Sequence, residues 1–74
     1  MLSELLLLIN TVLSNRGKKT IDSISTITDL RQDLGFDSLD LAELTVRIEN
    51  KYDIDIFEHG IITTVGEIIQ LIKK

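Results

Sequence analysis

Residues 33–40 read DLGFDSLD and place one hydroxyl, Ser38, between the carboxylates of Asp37 and Asp40, soon after Gly35 and at the foot of an apolar run. A serine nucleophile needs a base within hydrogen-bond reach and donors for an oxyanion. His59 is the sole histidine, and nothing in the sequence places it near Ser38. A nucleophile elbow has glycines two residues to either side of its serine, where this chain has Phe36 and Asp40. Hydrolysis is therefore disfavoured, and His59 reads as a solvated loop side chain. Asp53 and Asp55 look like the opening of a calcium loop, but the later ligands, the glycine and the terminal glutamate are missing, so no metal site is expected. Attachment suits Ser38 better. In the first turn of a helix, unpaired N–H groups and the helix dipole favour a phosphate, and Gly35 lets the chain turn just before it. The plain alternative is a serine that only helps a helix to start.

Three helices are expected to position these groups. Leu2, Leu5, Leu6, Ile9, Val12 and Leu13 recur at helical spacing, with Leu7 and Leu8 off the stripe, and Gly17 is a suitable stop, so the first helix covers about residues 2–15. From 16 to 36 the chain is first basic (Arg16, Lys18, Lys19) and then rich in Ser and Thr. That composition opposes a sustained helix and predicts a long ordered loop, anchored by Ile21, Ile24, Ile27 and Leu30. The second helix is expected from Asp37 or Ser38 to about Tyr52. Asp37 caps it, Asp40 lies in its first turn, Leu41, Leu44, Ile48 and Tyr52 form its apolar line, and Leu39, Ala42 and Val46 widen that line. DIDIF alternates, yet without a partner strand it reads as a connector, and EHGII could hold a single helical turn. Thr64–Glu67 fits a capping box for a last helix that buries Val65, Ile68, Ile69 and Ile72 and ends at Lys73 and Lys74.

The 74 residues, taken together, suit a single domain over 1–74, all-α, a small bundle of three to four helices with a long loop between the first and second. Hydrophobic residues are 43 % and aromatic residues 4 %, so the core is aliphatic. The chain has no cysteine, which is compatible with a reducing cytoplasm. LLLLI is too short to span a bilayer, and with Glu4 ahead of it and no basic residue it makes a poor signal peptide. The net charge of −4 argues against nucleic acid. Acid concentrates in the middle: Asp29 to Glu58 holds nine carboxylates against three basic residues.

DLGFDSLDLAELTVRIENKYDIDI resembles the core of an acyl carrier protein, and the order of helices, loop and final TTVGEII matches that family over nearly the whole chain. The motif positions are Leu34, Gly35, Phe36, Asp37, Ser38 and Leu39. The resemblance implies that Ser38 accepts 4′-phosphopantetheine from coenzyme A through a magnesium-dependent phosphopantetheinyl transferase, and that the arm's thiol then carries acyl groups as thioesters. The chain would be a cytoplasmic, monomeric shuttle rather than an enzyme. Asp37, Asp40, Glu43 and Glu49 would meet basic patches on acyl-loading, condensing or transferring enzymes, with Leu39 and Val46 as the apolar part of the same face. Ala42, Leu44, Ile48, Ile56, Ile61 and Ile68 are candidates to line an acyl cleft or to be plain core.

The chain departs from the housekeeping pattern in several places. Phe36 stands where fatty-acid carriers have a small residue and could pack beside the arm or serve a dedicated partner. Arg47, Asn50 and Lys51 dilute the acidic helix, and the connector from Phe57 to Thr63 is short. A carrier for fatty-acid, lipid or polyketide synthesis, one for an aminoacyl group such as D-alanine, and an unmodified helical interaction module all stay open.

Overall fold

The computed structural model describes residues 1–56 and 62–73. Among them are three helices, α1 (Leu2–Asn15), α2 (Ser38–Tyr52) and α3 (Val65–Lys73).

In α1, Leu5, Ile9, Val12 and Leu13 are buried. They fall four, seven and eight residues along from the first, the spacing of one helical face. Leu2 lies at the rim of this face and Leu7 is exposed, while Leu8 packs partly against the core. Gly17, at φ +72°, ends the helix. Its N–H donates to the Ser14 carbonyl (3.1 Å), and the Lys18 N–H donates to the Leu13 carbonyl (2.8 Å). This is a Schellman turn, which needs a left-handed residue at that position.

The long loop is ordered, and its anchors are mostly those expected. Asn10 exchanges two 2.9 Å hydrogen bonds with the backbone of Ile21. Ile21 and Ile24 pack against the core, and Leu30 is fully buried. Ile27 corrects the expectation: it is 82 % exposed. The spacing of three that grouped it with the other anchors has meaning only in a helix, and this segment turns at Thr26 and Ile27, where Thr28 N–H donates to Ser25 O (3.1 Å). Its backbone is sewn instead to the start of α3. The Gly66 N–H donates to Thr26 O (2.9 Å), Val65 N–H to Thr28 O (3.0 Å) and Leu30 N–H to Thr63 O (2.9 Å), around an antiparallel bridge between Asp29 and Thr64.

In α2, Leu41, Leu44 and Ile48 are buried and Tyr52 is half-buried. Leu39, Ala42 and Val46, expected to widen that line, are exposed. Thr45 is buried too, its hydroxyl satisfied by the Leu41 carbonyl (2.8 Å). Asp53 closes the helix in the left-handed conformation. Residues 53–56 form no strand, as the connector reading requires, and Ile56 enters the core. Of the turn expected over EHGII, residues 58–61 lie outside the described residues.

The capping box of α3 is present: Thr64 N–H donates to Glu67 Oε1 (3.1 Å) and Glu67 N–H donates to Thr64 Oγ1 (3.4 Å). Val65 and Ile68 are buried, with Ile69 and Ile72 packed partly against the core. α1 and α2 run antiparallel. Arg16 and Asn15 at the end of α1 reach the start of α2, and Glu4 near the beginning of α1 lies 3.8 Å from Lys51 near the end of α2.

Gly66 is where the loop approaches α3 most closely: a Cβ there would stand 2.8 Å from the Thr26 carbonyl oxygen. Alanine favours a helix over glycine by about 1 kcal/mol, but a clash with backbone cannot be relieved by a rotamer change and costs about 1–3 kcal/mol. Gly66→Ala is therefore expected to lower the urea midpoint. An unchanged or higher midpoint would show that the loop is not held against α3.

Candidate attachment site

Ser38 is the first residue of α2 and is exposed. Among the described residues no hydrogen bond engages its hydroxyl. Its position is set by what surrounds it. Leu30 and Phe36 are buried below it, and Phe36 N–H donates to the Leu30 carbonyl (3.0 Å). Gly35 stands at φ +71°, a conformation an L-residue with a Cβ adopts at a cost of roughly 1–2 kcal/mol. The chain thus turns out of the core at Phe36 and starts a helix one residue after Asp37.

Asp37 and Asp40 form a reciprocal cap. Asp40 N–H donates to Asp37 Oδ1 (2.9 Å), and Asp37 N–H donates to Asp40 Oδ2 (3.0 Å). The Asp37 carbonyl accepts from Leu41 N–H (3.0 Å). The N–H groups of Ser38 and Leu39 are left without a partner among the described residues, at the positive end of the helix dipole.

Asp40 differs most from its expected role. Its side chain is 0 % exposed, so it is not part of an exposed acidic face. Lys18 Nζ donates to Asp40 Oδ2 (2.6 Å) and also to the Gly35 carbonyl (3.0 Å). Arg16 Nε lies 2.9 Å from Asp40 Oδ1 as an ion pair, and its Nη2 is 3.5 Å from Asp37. Burial pushes the Asp40 carboxyl up. The hydrogen bonds from Lys18 and the Asp37 backbone, with the charges of Lys18 and Arg16, outweigh it and hold the group below its ordinary range. A buried carboxylate must find such partners, and the Schellman turn of α1 supplies two.

The other carboxylates differ from one another. Glu43 Oε2 accepts from Asn15 Nδ2 (3.0 Å) and Arg47 Nε (3.0 Å), and these bonds lower its pKa. Asp37 is about half exposed and Glu49 is exposed. Leu39 and Val46 are 63 % and 58 % exposed, so an apolar pair does lie on the outer side of α2. Of the residues considered for a cleft, Leu44, Ile48, Ile56 and Ile68 are core and Ala42 is exposed. Ile61 and His59 lie outside the described residues. Phe36, considered for the arm or a partner, is 3 % exposed and serves the core. Arg16 and Lys18 were not anticipated as site residues. The available signal was a glycine flanked by two basic residues at a helix end, but sequence spacing does not say which carboxylate such a turn will meet.

The lowered pKa of Asp40 sets the sign of a pH effect. The unfolded chain binds this proton more readily than the folded one. The stabilisation is therefore complete above the unfolded value near 3.8 and is lost as pH falls through the folded value. Arg16 and Lys18 keep about a third of their exposure (34 % and 36 %), which screens the pair. Asp40→Asn is accordingly expected to cost about 2 kcal/mol at pH 7, less than the removal of one partner from a fully buried pair. In urea titrations the gap between wild type and variant should close as pH drops below 3.8. A gap independent of pH would contradict the pairing.

Comparison with known proteins agrees with this geometry. The family described as "Phosphopantetheine attachment site" matches residues 5–72. The acyl carrier protein of Picosynechococcus sp. is 42 % identical over 55 residues, 72 % of this chain and 68 % of that one. The acyl carrier protein of Sulfurovum sp. is 39 % identical over 55 residues, 72 % and 73 % of the two chains. The acyl carrier protein of Rickettsia bellii is 32 % identical over 68 residues, 89 % and 78 %. No solved structure gives a significant match. With its all-α bundle, long loop and exposed serine at a helix start, the chain belongs to the acyl carrier protein family, whose cofactor is covalently attached 4′-phosphopantetheine.

Proposed function

We propose that Ser38 is the attachment residue and that the whole chain acts as one carrier domain. The observation that carries this is an exposed hydroxyl, free of intramolecular hydrogen bonds among the described residues, beside two unpaired N–H groups at a helix start. A phosphodiester on that oxygen would lie where those N–H groups and the dipole favour negative charge. In the attachment reaction, Ser38 Oγ forms a bond to the pantetheine-side phosphorus of coenzyme A and the pyrophosphate P–O bond breaks. Adenosine 3′,5′-bisphosphate leaves, and the hydroxyl proton passes to a base of the transferase. Once bound, the cofactor supplies the thiol that this cysteine-free chain lacks.

On this reading the protein is a substrate shuttle rather than a catalyst, a role supported by its likeness to acyl carrier proteins. Its partners are a phosphopantetheinyl transferase and enzymes that load, condense or transfer acyl groups in fatty-acid, lipid or polyketide synthesis in the cytoplasm. The docking face comprises Leu39 and Val46 with Asp37, Glu43 and Glu49. Asp40 leaves that set because it is buried. Among the described residues no helix is long and apolar enough to cross a membrane.

Incubated with coenzyme A, magnesium and a competent transferase, the wild type should gain the mass of one phosphopantetheine, and Ser38→Ala should gain none. A modified Ser38→Ala would move the attachment elsewhere, and an unmodified wild type would favour the interaction-module reading.

A further inference from the structure

Resting on that reading of Ser38, we propose that Lys18 and Asp40 are positioning residues for the attachment reaction: a lysine at the end of α1 grips the segment that presents the serine from both of its sides. The Lys18 ammonium holds the carbonyl of Gly35, three residues before Ser38, and the carboxylate of Asp40, two residues after it (3.0 and 2.6 Å). The same Asp40 oxygen takes the N–H of Asp37, the residue that precedes the serine (3.0 Å). Residues 35–40 are thereby closed into one turn around the Lys18 ammonium, with Arg16 on the other Asp40 oxygen (2.9 Å). Lys18 lies in the turn that closes α1, tied back to it by its N–H on the Leu13 carbonyl (2.8 Å), and the apolar face of α1 is buried in the core. The position of the serine is referred to the bundle rather than to the loop.

This clasp has a different task from the core. Apolar packing of α1 against α2 is non-directional. An ammonium that donates to a carbonyl and a carboxylate at once adds directional ties to two particular oxygens. Gly35 also receives such an external hold. Its N–H donates to Arg31 O (3.0 Å) and its φ is +71°, and Lys18 fixes its carbonyl, the one remaining polar group of this turn residue. Transfer of a phosphoryl group requires the attacking oxygen to be aligned, and a misplacement of about 1 Å costs on the order of 100-fold in rate.

The test uses the full chain in its apo form, coenzyme A and a phosphopantetheinyl transferase, with kcat and KM for the carrier measured separately. Lys18→Met removes the ammonium and keeps the length of the side chain. It is expected to lower kcat roughly 10- to 100-fold with a much smaller change in KM, at a temperature where circular dichroism shows the variant folded. Lys18→Arg should restore most of the loss. Lys19→Met, at an exposed neighbour outside the clasp, should behave as wild type. Because the two residues act as one unit, Lys18→Met with Asp40→Asn should be little worse than either alone. Should Lys18→Met not fold, Lys18→Gln and Asp40→Asn carry the same comparison. Wild-type kcat in the folded variants, or losses that simply multiply in the double variant, would overturn the positioning role while leaving Ser38 as the attachment residue. A wild type that takes no arm would overturn both.

Discussion

One carboxylate with no exposure, Asp40, organises the end of the molecule where α2 begins. A charge removed from water is tolerated only if its partners replace most of that hydration. Here Lys18, Arg16 and the Asp37 N–H surround it. Arg16 and Lys18 are about one-third exposed, so the pair is neither fully desolvated nor freely screened. The clasp ties three pieces of chain that are distant in sequence: the terminal turn of α1, the glycine turn at 35 and the first turn of α2. The aliphatic core brings α1 and α2 together; the clasp decides where the first residue of α2 points. Ser38 is the residue so presented.

The same interaction changes the electrostatics of the outer face. Four acids on α2 or its cap would read as a uniformly negative surface, but Asp40 is neutralised inside, Asp37 has Arg16 close by, and Glu43 is shared by Asn15 and Arg47. Glu49 contributes its charge from an exposed position. The outer side of α2 thus carries a diluted acidic field around an apolar pair, Leu39 and Val46, and on the proposed docking role this is what a partner would meet. Electrostatic steering depends on such a field more than final affinity does.

Much of this was legible in the sequence because it is local. The stripe at Leu5, Ile9, Val12 and Leu13, the Gly17 stop, the Asp37 cap, and the Thr64–Glu67 box are read from residues a few positions apart, and each governs a helix end or face. Ser38 is singled out the same way, and it is exposed as the first residue of α2. What was missed is non-local. Ile27 shares the spacing of its neighbours but faces out, because the loop is pinned by backbone bonds to α3, some 40 residues on. Asp40 occupies a position that alone predicts a solvated helix start, and only the meeting with Lys18, 22 residues earlier, buries it. Phe36 looked like a functional departure and proved to be packing. Types and periods in sequence carry helix ends well; they do not carry which charge meets which.

The carboxyl carbon-13 shift of Asp40, followed by NMR as a function of pH in the intact chain, is the most direct test of the clasp. The account predicts a midpoint below the ordinary aspartate value of 3.8, moving upward in Lys18→Met. A midpoint at or above 3.8 in the wild type would mean that the carboxylate is not held by Lys18 and Arg16, and that something else sets the position of Ser38.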